Sequence, residues 1–569
     1  MKNILCLILL LKISNVYSQH TLNLDFEYSK IDEPLPISWH IVNEGYIGII
    51  DTTVTCNGVQ SLRMESNFPL QGQYGNCSAS FPVESVIGKT MEFKGRIKTK
   101  SVKGGYAGLC LRVDGKDKLI AFDRMEQRGV KGDTEWINAS ITMEIGNDAK
   151  RIIIGALLTG TGQAWFDDFE VFINGQKFVD NTPVMPTDKI INWLRKRIIP
   201  LKSFEPSYSN FEDLISLGET LEDAKIIALG ESTHGSSEIF KMKHRLIHYL
   251  NKTKNFNLFS IEANLPEAYR INDYLESGLG DPKALIADMH FWTWNTQEIL
   301  EMICWMRENS NSSSKIQFTG FDMQYTDLSI NELRLNLSGA SKEKLIDLEN
   351  ILSEYNWRKR NSSIVGQEKR IEKKFVKIIN SLKIAIKSKE RENMDWLLRN
   401  LRIIEQYFYI DSFKRDEFLA ENVEWIFNQN RESKLVLWAH NSHVKKNSRR
   451  MGEYLSNTFK TDYVSIGFAF HEGKYTAKGD RGVTTYQAES SYPGTYEYIF
   501  QALNEPIFAL DLREFRKVDE NNRNLFHEFM GFRNVGSMNI SNQFSDIYII
   551  DEYDIIIYIN KSTNSILLD

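Results

Sequence analysis

The sequence predicts a multidomain chain in which an all-β sandwich precedes an α/β domain with a largely parallel sheet and a helical insertion. Three features carry this expectation. Residues from about 20 to 178 break into many short strand-like runs separated by Gly, Asn and Asp, the pattern of stacked antiparallel sheets. A stretch with Pro183 and Pro186 then interrupts regular structure. From about 190 onward, short apolar runs alternate with long amphipathic stretches, as buried parallel strands and their crossover helices do.

The β-sandwich is expected over 19–180, its strands including Glu92 to Thr99, Tyr106 to Val113, Trp136 to Met143 and Arg151 to Leu158. Carboxylates at Glu27, Asp167 and Asp168 could meet where its first and last strands pair, and hard oxygen ligands of that kind suit a structural Ca²⁺. The simpler reading is edge-strand acids facing water. Trp39, Trp136 and Trp165 could stack on sugars, although a large aromatic in a sandwich is more often core. After a linker over 181–190, the α/β domain takes 191–569. Its strands are expected at Lys225 to Leu229, Leu258 to Ile261, Ile316 to Phe321, Lys434 to Trp438, Tyr463 to Phe468, Pro506 to Leu510 and Asp554 to Ile559. Residues about 330–430 lack strand signals and read as the helical insertion, a natural lid or wall.

Composition excludes several function classes. The 569 residues are 42% hydrophobic and 25% charged, with 12 Pro and 34 Gly, the balance of a folded globular protein. A net charge of −6 gives no global footprint for nucleic acid. Between Arg358 and Arg391, twelve Lys or Arg stand against three acids. Ile371, Phe375, Ile378 and Leu382 keep helical spacing there, so the charges read as the wet face of an amphipathic helix. At the N-terminus, Met-Lys-Asn precedes an apolar run from Ile4 to Leu11 and a small residue at Ser18. This reads as a signal peptide over 1–18 and predicts an exported protein, periplasmic or secreted, without a membrane span. Cleavage leaves Cys56, Cys77, Cys110 and Cys304, whose spacing matches neither a dense disulfide framework nor a zinc site.

Ligands of open α/β sheets bind beyond the carboxyl ends of the strands. The first α/β strand runs into Gly230-Glu231-Ser232-Thr233-His234-Gly235, the second delivers Glu262, the third Asp322, and the fourth His440-Asn441-Ser442-His443. Two glutamates and three histidines at one edge are material for proton transfer. Gly-Glu-Ser-Thr-His also looks like a nucleophile elbow, but its fifth position is His rather than Gly, which makes a covalent Ser232 the minor reading. Asp322 and Arg415 read as a structural ion pair, and Trp292 and Trp294 as cleft wall or core. His244 and His248 stand four apart, but lack the HExxH glutamate and read as a surface pair.

These motifs, in order with Phe291-Trp292-Thr293-Trp294-Asn295-Thr296, Gly320-Phe321-Asp322-Met323, Arg415-Asp416 and Glu421-Asn422, resemble the erythromycin esterase family over about 190–569. The N-terminal part, opening on Asn23 to Glu27 and closing on Gly162 to Phe169, resembles jelly-roll modules related to carbohydrate-binding modules. The first resemblance implies hydrolysis of a carboxylic ester or lactone by activated water. It makes His234 the general base, with Glu231, Glu262, His440 and His443 as its catalytic partners. Lys243, Arg245, Arg270, Trp292, Trp294 and Asn441 become candidates for substrate binding or oxyanion stabilisation, and no cofactor is required at the site. Two other readings of the same residues remain: a metal-assisted hydrolase using the His/Glu cluster, and a non-catalytic protein whose β-sandwich binds glycan.

Overall fold

Strand and helix positions follow the change in hydrophobic period along the chain. The structure, a computed structural model, describes residues 21–568 apart from 31–32, 43–44, 68–73, 117, 311–313, 361–367, 389–391, 412–413 and 517–524. The predicted signal peptide, 1–18, lies outside the described residues. Backbone contacts divide the chain into two units. One runs through Pro186 and includes Ser490–Ile499; the other comprises Thr187–Glu489 and the chain from Phe500 onward.

The first unit is a large antiparallel assembly built around one 25-residue strand, Thr90–Asp114. Its first half pairs with Val130–Glu144 on one side and Thr161–Ile173 on the other. Its second half pairs with Arg151–Thr159 and Leu119–Asp123, after irregular register near residues 99–107. Alternation sends Met91, Phe93 and Ile97, then Leu109, Leu111 and Val113, into one shared core. Phe169 sits in that core against the edges of Phe26, Trp39 and Phe93. Trp39 and Trp165 are buried, and the Trp165 indole donates to Asp51. The three carboxylates close on one turn: Asp167 accepts the Cys56 and Asn57 amides, Asp168 the Asn57 side chain, and Glu27 the Val59 amide. Burial raises the Asp167 carboxyl to about 6 against those amide bonds. Cys56, Cys77, Cys110 and Cys304 are all free thiols.

The second unit holds a mixed sheet with helices. Its parallel centre runs Ile555–Ser562, Tyr463–Gly479, Ile226–Leu229, Leu435–Trp438, Leu258–Asn264, Gln317–Asp322. Ile507–Asp511 and Ile198–Pro200 extend the first edge antiparallel, so the run expected at Pro506 to Leu510 is a strand of reversed direction. Leu435–Trp438, late in the sequence, inserts between the two strands that come earliest in this parallel set. The carboxyl ends at Leu229, Trp438 and Asn264 are therefore side by side, with Asp322 next. Ser237–Lys254 follows the first of these strands, capped by the Ser236 hydroxyl, which accepts the Ile239 amide. Among the described residues no helix is long and apolar enough to cross a membrane.

Helices Asp327–Asn336, Ala340–Arg360, Glu368–Lys387, Met394–Tyr409 and Lys414–Gln429 form the insertion. It has its own apolar cluster, in which Phe375 stacks on Phe408 at 3.9 Å. Ile371, Phe375 and Leu382 are buried there while Lys373, Lys374 and Lys377 are exposed, as the amphipathic spacing requires.

One glycine fixes the approach of the turn to the sheet. A Cβ on Gly235 would lie 1.9 Å from the Thr476 carbonyl, and the Gly235 carbonyl accepts the Thr476 amide at 3.0 Å. Gly235→Ala is expected to destabilise the protein by about 1–3 kcal/mol through overpacking against backbone. A lower urea midpoint at unchanged slope is the expected observation; an unchanged midpoint contradicts it.

Candidate active site

The turn after Ile226–Leu229 is held from three sides. The Glu231 carbonyl accepts the Asn441 amide at 2.8 Å, the Ser232 carbonyl accepts the Val535 amide at 2.8 Å, and the His234 amide donates to the Gly536 carbonyl at 3.2 Å. These bonds place Glu231 beneath the floor and His234 on the wall of a cavity of about 430 Å³.

Glu231 is fully buried and uses both carboxylate oxygens. Oε1 accepts His234 Nδ1–H at 2.6 Å; Oε2 accepts Lys243 Nζ at 2.6 Å and the Trp438 indole at 2.7 Å. With Nδ1 donating, Nε2 of His234 carries the lone pair. Burial pushes Lys243 down to about 8 while Glu231 pulls it up. The His440 ring lies 5.2 Å from that of His234, and Trp294 meets His234 edge-on at 5.7 Å.

A second cluster faces this dyad. Glu262 Oε1 accepts Arg415 Nη2 at 2.9 Å and lies 3.3 Å from His443 Nε2, while Oε2 accepts the His440 amide at 3.0 Å. Arg415 also donates to Asp322 at 2.6 Å, and His443 Nδ1 donates to Asp416 Oδ1 at 2.7 Å. Burial would raise Glu262, but first the charges of His443 and Arg415, then the His440 amide, hold it far below the usual carboxylate range. Burial would lower His443, but Glu262 and Asp416 outweigh it and raise its pKa. Burial, then His234 and His443, push His440 well below the ordinary histidine value. His440 is therefore neutral: its Nδ1 accepts the Ser442 amide at 3.2 Å, and Nε2 is 3.4 Å from the Ser232 carbonyl. The nearby cations are therefore Arg415 and His443.

The structure thus brings Glu231, His234, Glu262, His440 and His443 together, with Trp292 and Trp294 in the cavity wall. Trp294 is also core, 1% exposed, its indole donating to the Glu262 carbonyl. Lys243 is not in the cavity wall; its ammonium bonds Glu231 and lies 3.5 Å from the Ala439 carbonyl. Three predicted residues lie elsewhere. Arg245, two positions along the helix from Lys243, points to the other side and is buried against Asp213 and the carbonyls of Ser203, Tyr208 and Asn210. Arg270 pairs with Asp288 on the exposed outer face. The Asn441 side chain pairs with both the amide and the carbonyl of Phe468, bracing the sheet. His244 is not a surface residue: it is buried against Trp305, and burial pushes it down to about 3.

Sequence reasoning missed Asp416, Gln324 and the loop Asn534 to Ser537. Asp416 had a signal, since it adjoins Arg415 in the quoted motif. The loop had none, because bonds made far apart in sequence bring it to the turn: Val535 to Ser232, and His234 and Thr233 to Gly536. Arg415 and Asp322 do form an ion pair, at the centre of the site rather than apart from it.

A buried histidine–carboxylate dyad at the strand ends of an α/β unit, facing a cluster of charged hydrogen bonds, defines the class as hydrolase-like. The chain belongs to the erythromycin esterase family: the sequence model of that family, erythromycin esterase, matches residues 252–562. The matched span is shorter than the expected 190–569, and Glu231, His234 and Lys243 precede it. The chain is 23% identical over 369 residues to YbfO of Bacillus subtilis, covering 56% of this chain and 80% of that one. It is 22% identical over 329 residues to erythromycin esterase type II of Escherichia coli, covering 50% and 78% respectively. A crystal structure of a Bacillus cereus protein superposes with a TM-score of 0.58 at 25% identity, covering 68% of this chain and all of that chain.

Two outcomes follow from the charges. Glu231→Gln leaves Lys243 buried without its counter-charge and is expected to cost about 3–5 kcal/mol of stability. Adding Lys243→Met should recover part of that loss in a urea double-mutant cycle, and additive losses would contradict the coupling. His443 has its pKa raised on folding, so its contribution is complete below about pH 6.5 and is lost as pH rises through the folded-state value. Wild type should therefore lose stability relative to His443→Gln as pH rises above about 6.5; a constant difference in urea midpoint across that rise contradicts the assignment.

Proposed function

We propose that this protein hydrolyses a carboxylic ester or lactone by general-base attack of water. The observation that carries the reading is the Glu231–His234 pair: with Nδ1 donated to a buried carboxylate, Nε2 is left as the base on a ring that lines the cavity. Water gives a proton to Nε2 as its oxygen attacks the carbonyl carbon. The tetrahedral oxyanion is stabilised by the charge of Arg415 and His443. Collapse breaks the acyl–oxygen bond, and His234 returns the proton to the departing alkoxide. Ser232 supplies no nucleophile in this scheme; its hydroxyl is buried without a hydrogen bond below the turn.

The metal-assisted reading has weaker support. A metal would use the Nε2 atoms, and two of the three are occupied: His443 Nε2 lies 3.2 Å from Arg415 Nη1 and 3.3 Å from Glu262, and His440 Nε2 lies 3.4 Å from the Ser232 carbonyl, which leaves His234 Nε2. The Arg415 cation also occupies the centre of the carboxylates. Among the described residues no group of three or more His, Cys, Asp or Glu is disposed to hold a metal ion. In the full proposal the enzyme is exported after cleavage behind Ser18 and works in a periplasm or outside the cell. Its N-terminal unit is a jelly-roll module that engages glycan, with Ca²⁺ as a structural ion at the Glu27, Asp167 and Asp168 turn.

His234→Ala is expected to lower ester-hydrolysis kcat by roughly 10²–10⁴-fold with an unchanged unfolding curve. Unaltered turnover in that variant removes the assignment. Chelator treatment should leave the wild-type rate intact; loss restored only by added divalent ion favours the metal-assisted scheme.

A further inference from the structure

We propose that the substrate is an O-acylated carbohydrate, bound with its sugar ring between Trp292 and the loop that carries Asn534 and Ser537. The proposal rests on the ester-hydrolysis reading and names its substrate class.

Apart from the reacting groups, the cavity wall is aromatic or neutral and hydrogen-bonding: Phe291, Trp292, Gln324, Asn534 and Ser537. Among the described lining residues Val535 is the one aliphatic side chain. A long acyl chain or hydrocarbon ring would desolvate these amides and hydroxyls without replacing their bonds to water. A sugar replaces them. Its hydroxyls both donate and accept, as do the Asn534 amide and the Ser537 hydroxyl, and its C–H faces suit the broad apolar face of an indole. Gln324 spends Nε2 on Asp322 at 2.6 Å, which leaves its carbonyl oxygen as an acceptor.

The charges in the site are paired with one another. Arg415 is held by Glu262 and Asp322, and His443 by Glu262 and Asp416. The wall outside them carries no charge of its own, which fits a neutral ligand. The loop is also fixed to the catalytic turn: the Val535 amide bonds to Ser232, the Gly536 carbonyl accepts the His234 amide, and the Ser537 carbonyl accepts the Lys478 amide at 2.9 Å. A ring held by Asn534 and Ser537 is thus referenced to His234, and binding energy from the non-reacting sugar positions the ester. Water adds to the acyl carbon, the acyl–oxygen bond breaks, and the sugar oxygen takes the proton from His234, releasing the free sugar and a carboxylic acid.

The test uses the full chain and a panel of mono-O-acetylated methyl gluco-, galacto- and mannopyranosides, with 4-nitrophenyl acetate and 4-nitrophenyl octanoate as sugar-free esters. The expected result is turnover of at least one acetylated glycoside, with octanoate poorer than acetate. In Asn534→Ala, the ratio of kcat/KM for that glycoside to that for 4-nitrophenyl acetate should fall about 3- to 10-fold, carried mainly by KM. Equal losses on both esters, preference for octanoate, or turnover of 4-nitrophenyl acetate without any glycoside overturns the substrate class alone. Binding is read separately in His234→Ala, where the corresponding unacylated glycoside should quench tryptophan fluorescence and Trp292→Leu should abolish the quench. Quenching without cleavage of any ester keeps the sugar site and refutes ester hydrolysis; absence of both refutes both.

Discussion

The buried carboxylate of Glu231 is the constraint on which the site depends. It has no water to solvate it, so it must be paired inside the protein, and its partners are the base histidine, a buried lysine and an indole. Each partner comes from a different element: the turn, the helix Ser237–Lys254 and the strand Leu435–Trp438. Satisfying one charge therefore fixes the turn, the helix and the neighbouring strand relative to one another, and sets which nitrogen of His234 carries the proton.

The opposing cluster works by alternation of sign. Glu262 and Asp322 from two strand ends are bridged by Arg415, and His443 is bracketed by Glu262 and Asp416. Arg415 and Asp416 stand at the start of the last helix of the insertion. The insertion is thus more than a wall: it supplies the cation that makes two neighbouring carboxylates tolerable and the anion that orients His443. Neutral His440 sits between the dyad and this cluster, because burial disfavours its charged form and a further positive charge beside the His443 cation would be repelled.

Much of this was legible before the structure. The strand ends announced themselves as apolar runs stopping at Gly, Glu, Asp and His, and five proposed catalytic residues from three separate segments converge. The failures have a common cause. Lys243 and Arg245 look equivalent in sequence, yet two residues on a helix are about 200° apart, so one meets Glu231 and the other faces away toward Asp213. Asn441 stands between two site histidines, but its amide matches the paired backbone groups of Phe468 and is consumed there. Arg270 follows a buried helix and emerges on its wet side.

By itself the sequence determined the order of elements and the chemical groups at the strand ends, because apolar period and chain-breaking residues are local properties. Only the tertiary structure decided which groups share a cavity. Strand order inserts Leu435–Trp438 between strands that precede it in the chain, and that crossover places His440 and His443 between Glu231 and Glu262. The loop Asn534 to Ser537 joins them through backbone bonds made across some 300 residues of sequence, and the Thr233 side-chain hydroxyl adds a bond to the Gly536 carbonyl across 303. Such contacts depend on where the chain returns, and no residue pattern near either end encodes that return.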